Sequence, residues 1–323
     1  MLTPRKFSNM ATRFVNFVIV VNGLLTLIGT VVNSLVILVV YKNREMRNEL
    51  NLLITSLSAA DIIVCFVAQP LYIIYKSSEV SEGFKYSFEL IAFVGLHASF
   101  NSLTGITINR FAVLLHPFSY TMSHHRKRLY GGIVGGIWFS SVILAYYFTT
   151  DYGRQIAVYV HTFMFSMFIF SYAHILWVAR KQVRKISSQV QSVSFNHKAA
   201  KIQRENSAAK TSAILVCATL ACFFPDIVFD YLHIVDETRF SWSFTLMFLS
   251  STINPCIYVW RNERFRVALL RTIHCIPALR DRIVSSNRVN PVGGESTYQK
   301  RLATKGNAST IRGQASCSIE DLE

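Results

Sequence analysis

Long runs without a single charged side chain dominate this sequence. Residues 14–41 contain no Asp, Glu, Lys or Arg, and 50–75 contain only Asp61. The runs 90–109, 129–150, 155–179 and 240–260 are uncharged as well, and 211–235 holds only Asp226 and Asp230. A helix needs about 20 predominantly apolar residues to cross the roughly 30 Å hydrocarbon layer. Seven stretches meet that length, so the expected fold is an all-α membrane protein, a seven-transmembrane helix bundle. A membrane β-barrel needs short alternating segments, and these runs are too long and continuous for one. The chain is 16% charged and carries a net +15, against roughly 25% charged residues in an ordinary soluble domain. Such an excess could mark a nucleic-acid partner, but the placement of the basic residues excludes that reading.

The segments between runs alternate in Lys and Arg. Residues 1–13, 76–89, 151–154 and 236–239 hold 7 of the 33, and the other connections hold 26. Counting only the first twenty residues of the long C-terminal segment still leaves 20 against 7. Basic residues remain on the cytoplasmic side during insertion, which predicts an extracellular N-terminus and a cytoplasmic C-terminus in the plasma membrane. Arg5, Lys6 and Arg13 before the first run favour the reverse, and the sum over four loops outweighs them. The expected organisation is an extracellular tail over 1–13, seven spans plus an interfacial helix over 14–275, and a disordered cytoplasmic tail over 276–323. No cysteine falls in an outer loop, so no loop disulfide is expected there.

Polar residues inside spans are costly and mark function by default. Asp61 lies in the middle of span 2. Asn33, Ser99, Ser251 and Asn254 fall at comparable depth, either as a hydrogen-bonded structural hub or as oxygen ligands that hold a sodium ion at Asp61. Pro225 in span 6 removes a backbone hydrogen bond and creates a hinge. After span 7, Phe265, Ala268, Leu269, Thr272 and Ile273 form an apolar stripe opposite Arg264, Arg266 and Arg271. That pattern reads as a short amphipathic helix at the membrane surface, with Cys275 beyond it as a palmitoylation candidate.

In order along the seven runs stand Asn33, Leu57-Ser58-Ala59-Ala60-Asp61, Asn109-Arg110-Phe111, Pro117, Tyr120, Trp138, Tyr172, Cys222-Phe223-Phe224-Pro225, Asn254-Pro255-Cys256-Ile257-Tyr258 and Phe265. This ordered set, one group per span over residues 14 to 275, resembles the rhodopsin-like (class A) G-protein-coupled receptors. The resemblance implies that Arg110 pairs with an acid on span 6 at rest and meets a heterotrimeric G protein when active. Glu205, twenty residues before Pro225, is placed to be that acid, and Tyr172 and Tyr258 become the hydroxyls that support Arg110 on activation. Arrestin and a receptor kinase follow as expected partners, with Ser and Thr of the tail as phosphate acceptors.

Departures from the pattern carry information too. Asn109 replaces the usual acid beside Arg110, which predicts raised basal signalling. Phe223 stands where the family usually has Trp, Thr219 where it often has Phe, and Lys85 where span 3 normally contributes a disulfide cysteine. The missing clamp, the short connection between spans 4 and 5, and Met164 in place of a proline are similar to the melanocortin receptors and their adenosine, lipid and cannabinoid relatives. Asn254 differs from the Asp of the melanocortin branch, and Lys85 and Leu71 replace two of its ligand-binding acids.

Glu89 lies 21 residues before Arg110, about 31 Å along a helix, and so at the outer mouth. Asp226 and Asp230 share a face of span 6, with His233 just beyond. These acids are expected either to receive a peptide's basic side chain or a small cation, or to pair with Lys85 and Arg239. Ala92 sits where amine receptors carry their ligand-binding Asp, which disfavours a monoamine. His97, just over one turn inside Ala92, reads as a hydrogen-bonded core histidine or, second to that, a ligand contact. No residue pattern suggests catalysis. The expected function is signal transduction from an extracellular ligand, with a lipid- or adenosine-like ligand as the alternative within receptors. An ion-coupled transporter or channel is the alternative outside them.

Overall fold

The computed structural model describes residues 4–115, 124–187, 193–234 and 236–274, with side chains described over 12–113, 128–181, 206–234 and 236–272. Among the described residues there is no strand. The helices are α1 (Pro4–Lys42), α2 (Glu49–Ile62), α3 (Gln69–Ser77), α4 (Glu82–Leu115), α5 (His124–Thr149), α6 (Asp151–Ser187), α7 (Val193–Tyr231), α8 (Glu237–Arg261) and α9 (Glu263–His274). A π-helical turn, Ile63–Ala68, joins α2 to α3, making Glu49–Ser77 one span. Spans 1 to 7 are therefore α1, α2 with α3, α4, α5, α6, α7 and α8.

Six of these helices are long and apolar enough to cross a membrane by composition. The seventh span, Glu237–Arg261, is 25 residues long but more polar, because Ser241, Ser243, Thr245, Ser250, Ser251, Thr252 and Asn254 are all buried within the bundle. Its polarity faces protein rather than lipid. Lipid-facing positions elsewhere are apolar, as with Phe139 on span 4 and Phe163 and Phe170 on span 5.

Helix α1 starts at Pro4, well inside the segment 1–13 expected as an extracellular tail. Proline is tolerated in a first helical turn, and nothing from there to residue 14 interrupts the helix. The uncharged run marks the part that meets hydrocarbon rather than the helix end. Span 2 widens for a related reason. Pro70 has no N–H to donate and its ring crowds the preceding turn, and the π turn, in which Gln69 N bonds to Val64 O, provides the space. Caps fix two other starts: Asn48 accepts from Asn51 N at 2.9 Å, and Asp236 accepts from Arg239 N at 2.6 Å.

The spans enclose two apolar cores. One, toward the end rich in basic connections, gathers Val36, Leu53, Leu103, Ile106, Tyr172 and Tyr258. The other, toward the opposite end, gathers Tyr72, Phe88, Ala92, Phe244 and Phe248. Phe223 packs against both. Close helix approaches rest on Gly29, where an added Cβ would fall 2.8 Å from Thr252 Oγ1, and on Gly95, where it would fall 2.7 Å from Val64 Cγ2.

Helix α9 follows span 7 after the single residue Asn262, whose Oδ1 accepts from Phe265 N at 3.2 Å. Phe265, Ala268 and Thr272 are buried, while Arg264, Arg266 and Arg271 are exposed, so the predicted amphipathic stripe is present. The side chain of Ile273, the palmitoylation candidate Cys275 and the tail from 276 lie outside the described residues, as do Pro117 and Tyr120.

Candidate functional site

At the predicted mouth, the two acids of span 6 share one cation. Asp226 and Asp230, one helical turn apart on span 6, both meet the guanidinium of Arg239 in the first turn of span 7, at 3.6 Å for Asp226 and closer still for Asp230. Arg239 also donates to Ile234 O at 2.7 Å. Of the two cations proposed from sequence as partners, Arg239 is the one engaged. No ion pair among the described residues joins Arg239 to Glu89. Glu89 is buried on span 3, and Ala92 lies one turn further in, packed within the second core.

His233 proves to be a helix terminator. Its φ is 51°; its N–H bonds to Asp230 O at 3.2 Å, and Ile234 N bonds to Phe229 O at 3.1 Å. Those paired bonds around one left-handed residue close α7, the helix of span 6. The imidazole is exposed, so the residue's structural contribution comes from its backbone.

Sequence reasoning missed the most elaborate feature of this end. The Lys76 side chain is only 8% exposed and its Nζ donates to Glu237 Oε2 at 2.6 Å. The ammonium also lies 5.1 Å from the Phe240 ring centre and 5.2 Å from that of Tyr75, within cation–π range. These rings belong to a continuous aromatic stack in which Tyr72 faces Phe88, Phe244 and Phe248 at 5.6 to 5.8 Å. In sequence, Lys76 reads as the first loop residue after span 2. The available signal is Tyr72 and Tyr75 placed four and one residues before it.

The ion pair is asymmetric, since Glu237 is 81% exposed. Glu237→Ala is expected to lower Tm by about 3 °C, because it leaves a buried ammonium without its counter-ion, an effect of about 1 kcal/mol once solvent screening is allowed for. Lys76→Met, which keeps the cage filled and leaves only an exposed carboxylate, is expected to shift Tm by less than about 1 °C. Thermal unfolding in nanodiscs measures both, and equal losses contradict the asymmetry.

Asp61 lies at the mid-depth of the bundle and is fully buried. Asn254 Nδ2 donates to its Oδ2 at 3.2 Å, and Asn254 Oδ1 in turn accepts from Thr219 Oγ1 at 3.3 Å. Thr219, where the receptors the sequence resembles often carry Phe, thus links the carboxylate of span 2 through span 7 to span 6. Asn33 Nδ2 donates to Ser251 O at 3.0 Å. Asp61 Oδ1, Ser251 Oγ and Asn33 Oδ1 are buried without a hydrogen-bond partner, and Ser99 is buried in span 3. One carboxylate with unused neutral oxygens suits a hard monovalent cation, and no group of three His, Cys, Asp or Glu suited to a metal ion occurs among the described residues. A second polar group escaped the sequence reading: Asn22 donates to Thr245 Oγ1 at 3.0 Å and accepts from Gln69 at 3.4 Å. Asn22 and Gln69 lie nearer the mouth than Asp61, so a search for polar groups at the depth of Asp61 passes over them.

Arg110 is buried near the basic end of span 3. Its neighbour Asn109 donates to the Tyr130 hydroxyl on span 4 at 2.7 Å. One turn above, Thr107 Oγ1 donates to the Tyr172 hydroxyl of span 5 at 3.2 Å. The Tyr258 hydroxyl donates to Asn51 Oδ1 at 2.6 Å and accepts from Asn262 at 2.9 Å, which ties span 7 to span 2. Pro225 and Pro255 each sit inside an unbroken helix. The side chain of Glu205, the predicted partner of Arg110, lies outside the described residues. The cysteines of the spans, Cys65, Cys217, Cys222 and Cys256, are all free.

Residues 32–162 match the family model described as 7 transmembrane receptor (rhodopsin family). The chain is 22% identical over 319 residues to the substance-K receptor of Homo sapiens, covering 87% of this chain and 78% of that protein. It is 25% identical over 293 residues to the pyroglutamylated RF-amide peptide receptor of Rattus norvegicus, covering 76% and 67%. The neuropeptide Y receptor type 6 of Mus musculus is 25% identical over 293 residues, covering 75% and 76%.

Proposed function

We propose that this chain, a G-protein-coupled receptor of rhodopsin-like architecture and a multi-pass membrane protein, is switched by an extracellular peptide that carries a basic side chain. The cradle around Arg239 carries this reading. Two carboxylates one turn apart already hold a guanidinium at the mouth of spans 6 and 7, so a ligand's arginine or lysine that takes its place finds a site of the right charge and spacing. Glu89 on span 3 adds a third acid at the same end. The similar proteins named above are receptors for peptides, which fits. Within the family, the absent disulfide clamp and the one-residue connection at Thr150 favour the melanocortin-like branch, which also contains peptide receptors.

The basic connections support a cytoplasmic C-terminus in a plasma-membrane receptor, where a G protein, arrestin and a receptor kinase would meet it. Ligand binding acts by differential affinity for two states, with span 6 hinging at Pro225 and Phe223 repacking between the two cores. A sodium ion at Asp61, held also by Ser251 and Ser99, would favour the resting state. Cys275 would carry a palmitoyl chain beside α9.

A peptide panel with and without Arg, scored by ligand-stimulated nucleotide exchange, tests the ligand class. The triple variant Glu89→Gln, Asp226→Asn, Asp230→Asn is expected to lose about 30-fold in potency for the basic peptides, as expected for one charge-assisted contact of about 2 kcal/mol. Unchanged potency, or activation only by a neutral lipid, contradicts it. Basal activity gives a separate check. Asn109 cannot restrain Arg110 by charge and instead hydrogen-bonds to Tyr130. Asn109→Asp is expected to lower ligand-free exchange about fivefold, the factor that 1 kcal/mol brings.

A further inference from the structure

The two half-buried imidazoles between spans 3 and 5 have no part in the receptor mechanism above. His97 on span 3 and His161 on span 5 face each other with ring centres 5.8 Å apart and planes inclined by 39°. Phe148 of span 4 packs against both, at 5.3 and 5.4 Å, and Phe93 walls the other side of His97 at 6.2 Å.

The hydrogen bonding of His97 fixes which nitrogen is available. Its Nδ1 lies 2.8 Å from Phe93 O. A carbonyl only accepts, so Nδ1 carries the proton and the neutral ring presents an Nε2 lone pair. That Nε2 is buried and meets no donor. A backbone carbonyl that locks the tautomer while the opposite nitrogen stays bare is the usual outer-shell arrangement of a metal-binding histidine. The second imidazole is at a suitable separation: two rings sharing one ion at about 2.1 Å per bond place their centres roughly 5 to 6.5 Å apart.

We propose that His97 and His161 form a binding site for a first-row transition-metal ion of the zinc class. Imidazole nitrogen is a preferred ligand for zinc and copper, whereas the hard-oxygen group at Asp61 suits sodium, so the two sites select different ions. His161 lies ten residues into α6, about 15 Å from its start at Asp151 at 1.5 Å per residue, which places the site in the half of the bundle that opens at the mouth. Water or a small anion completes the coordination shell. An ion held there joins span 3 to span 5 and opposes their separation.

Purified full-length receptor in nanodiscs, titrated with ZnCl2 against an EDTA control, tests this. Wild-type Tm is expected to rise by about 5 °C when zinc exceeds its Kd a hundredfold. His97→Ala and His161→Ala are each expected to lose that rise while keeping their EDTA Tm near the wild-type value, and exposed His233→Ala is expected to retain it. Co2+ is expected to give visible ligand-field absorption in the wild type and none in the double variant His97→Ala, His161→Ala. If either histidine variant unfolds in EDTA, the Co2+ spectrum of His97→Gln against wild type decides in its place. An equal zinc shift in wild type and double variant assigns the effect to other histidines and overturns the proposal. Absence of any shift or spectrum means that the two rings only pack or share a water, and overturns it as well.

Discussion

Gly29→Ala is expected to lower the Tm of the receptor by about 6 °C and to reduce the amount reaching the cell surface accordingly. Span 1 approaches spans 2 and 7 at this glycine so closely that a Cβ overlaps Cys65 Sγ and falls 2.8 Å from Thr252 Oγ1. The added methyl must push apart a junction that also holds Asn33 against Ser251 O. Overpacking of a well-filled core costs about 1–3 kcal/mol, and the polar hub below gives this site little room to relax. Two variants isolate the cause. Gly23→Ala, on the same helix with nothing within 4 Å of its Cβ, is expected to leave Tm unchanged or raise it, since alanine is the better helix former. Cys65→Ala in the Gly29→Ala background removes the nearest clash and is expected to recover about half of the loss. Equal effects of Gly23→Ala and Gly29→Ala would show that helix propensity, and not the junction, governs this face. Surface staining and thermal unfolding read all four proteins.

How much of this was legible in the sequence depends on the distance over which each partner acts. The spans were legible because hydrocarbon imposes a local rule: a charge-free run of sufficient length must cross. The seventh run, 240–260, was recognised by its lack of charge although its serines and threonines make it too polar for a purely apolar criterion. Asp61 and Asn254 were identified because polar groups inside spans are rare, and the structure joins them at 3.2 Å. Pairings across helices were only half legible. Asp226 and Asp230 had two candidate cations, and only the geometry of the first turn of span 7 selects Arg239. The Lys76 cage requires residues 72, 75, 76, 237 and 240 to meet, and no local spacing joins span 2 to span 7. His233 was read as a mouth residue beside Asp226 and Asp230, whereas its positive φ ends a helix. The start of α1 at Pro4 was hidden for the opposite reason: charge marks where the membrane begins, not where helical hydrogen bonding does.

Arg110→Ala is expected to reduce receptor-stimulated nucleotide exchange about a hundredfold while leaving the amount of folded receptor close to wild type. The guanidinium is a rigid fork of five donors, buried in this structure near the basic end of span 3. In the proposed active state it turns from its resting contacts to the G protein. Losing even two charge-assisted hydrogen bonds, at about 1.5 kcal/mol each, accounts for that factor. The neighbouring hydroxyls do not substitute for it: Tyr172 is engaged by Thr107, and Tyr258 by Asn51 and Asn262. A transporter or channel whose ion site is Asp61 would be indifferent to Arg110 in this assay and would show an Asp61-dependent flux instead.

The central claim is that this seven-span chain opens a G protein to nucleotide. GDP-to-GTP exchange on purified heterotrimeric G proteins of each class, with wild-type receptor in nanodiscs and no ligand added, tests it most directly, because Asn109 in place of an acid predicts measurable basal activity. The account predicts that at least one class exchanges faster with wild type than with empty nanodiscs, more slowly with Asn109→Asp, and at the empty-disc rate with Arg110→Ala. Exchange that is accelerated equally by wild type and Arg110→Ala, or accelerated in no class while the receptor conducts ions across liposomes, would contradict it.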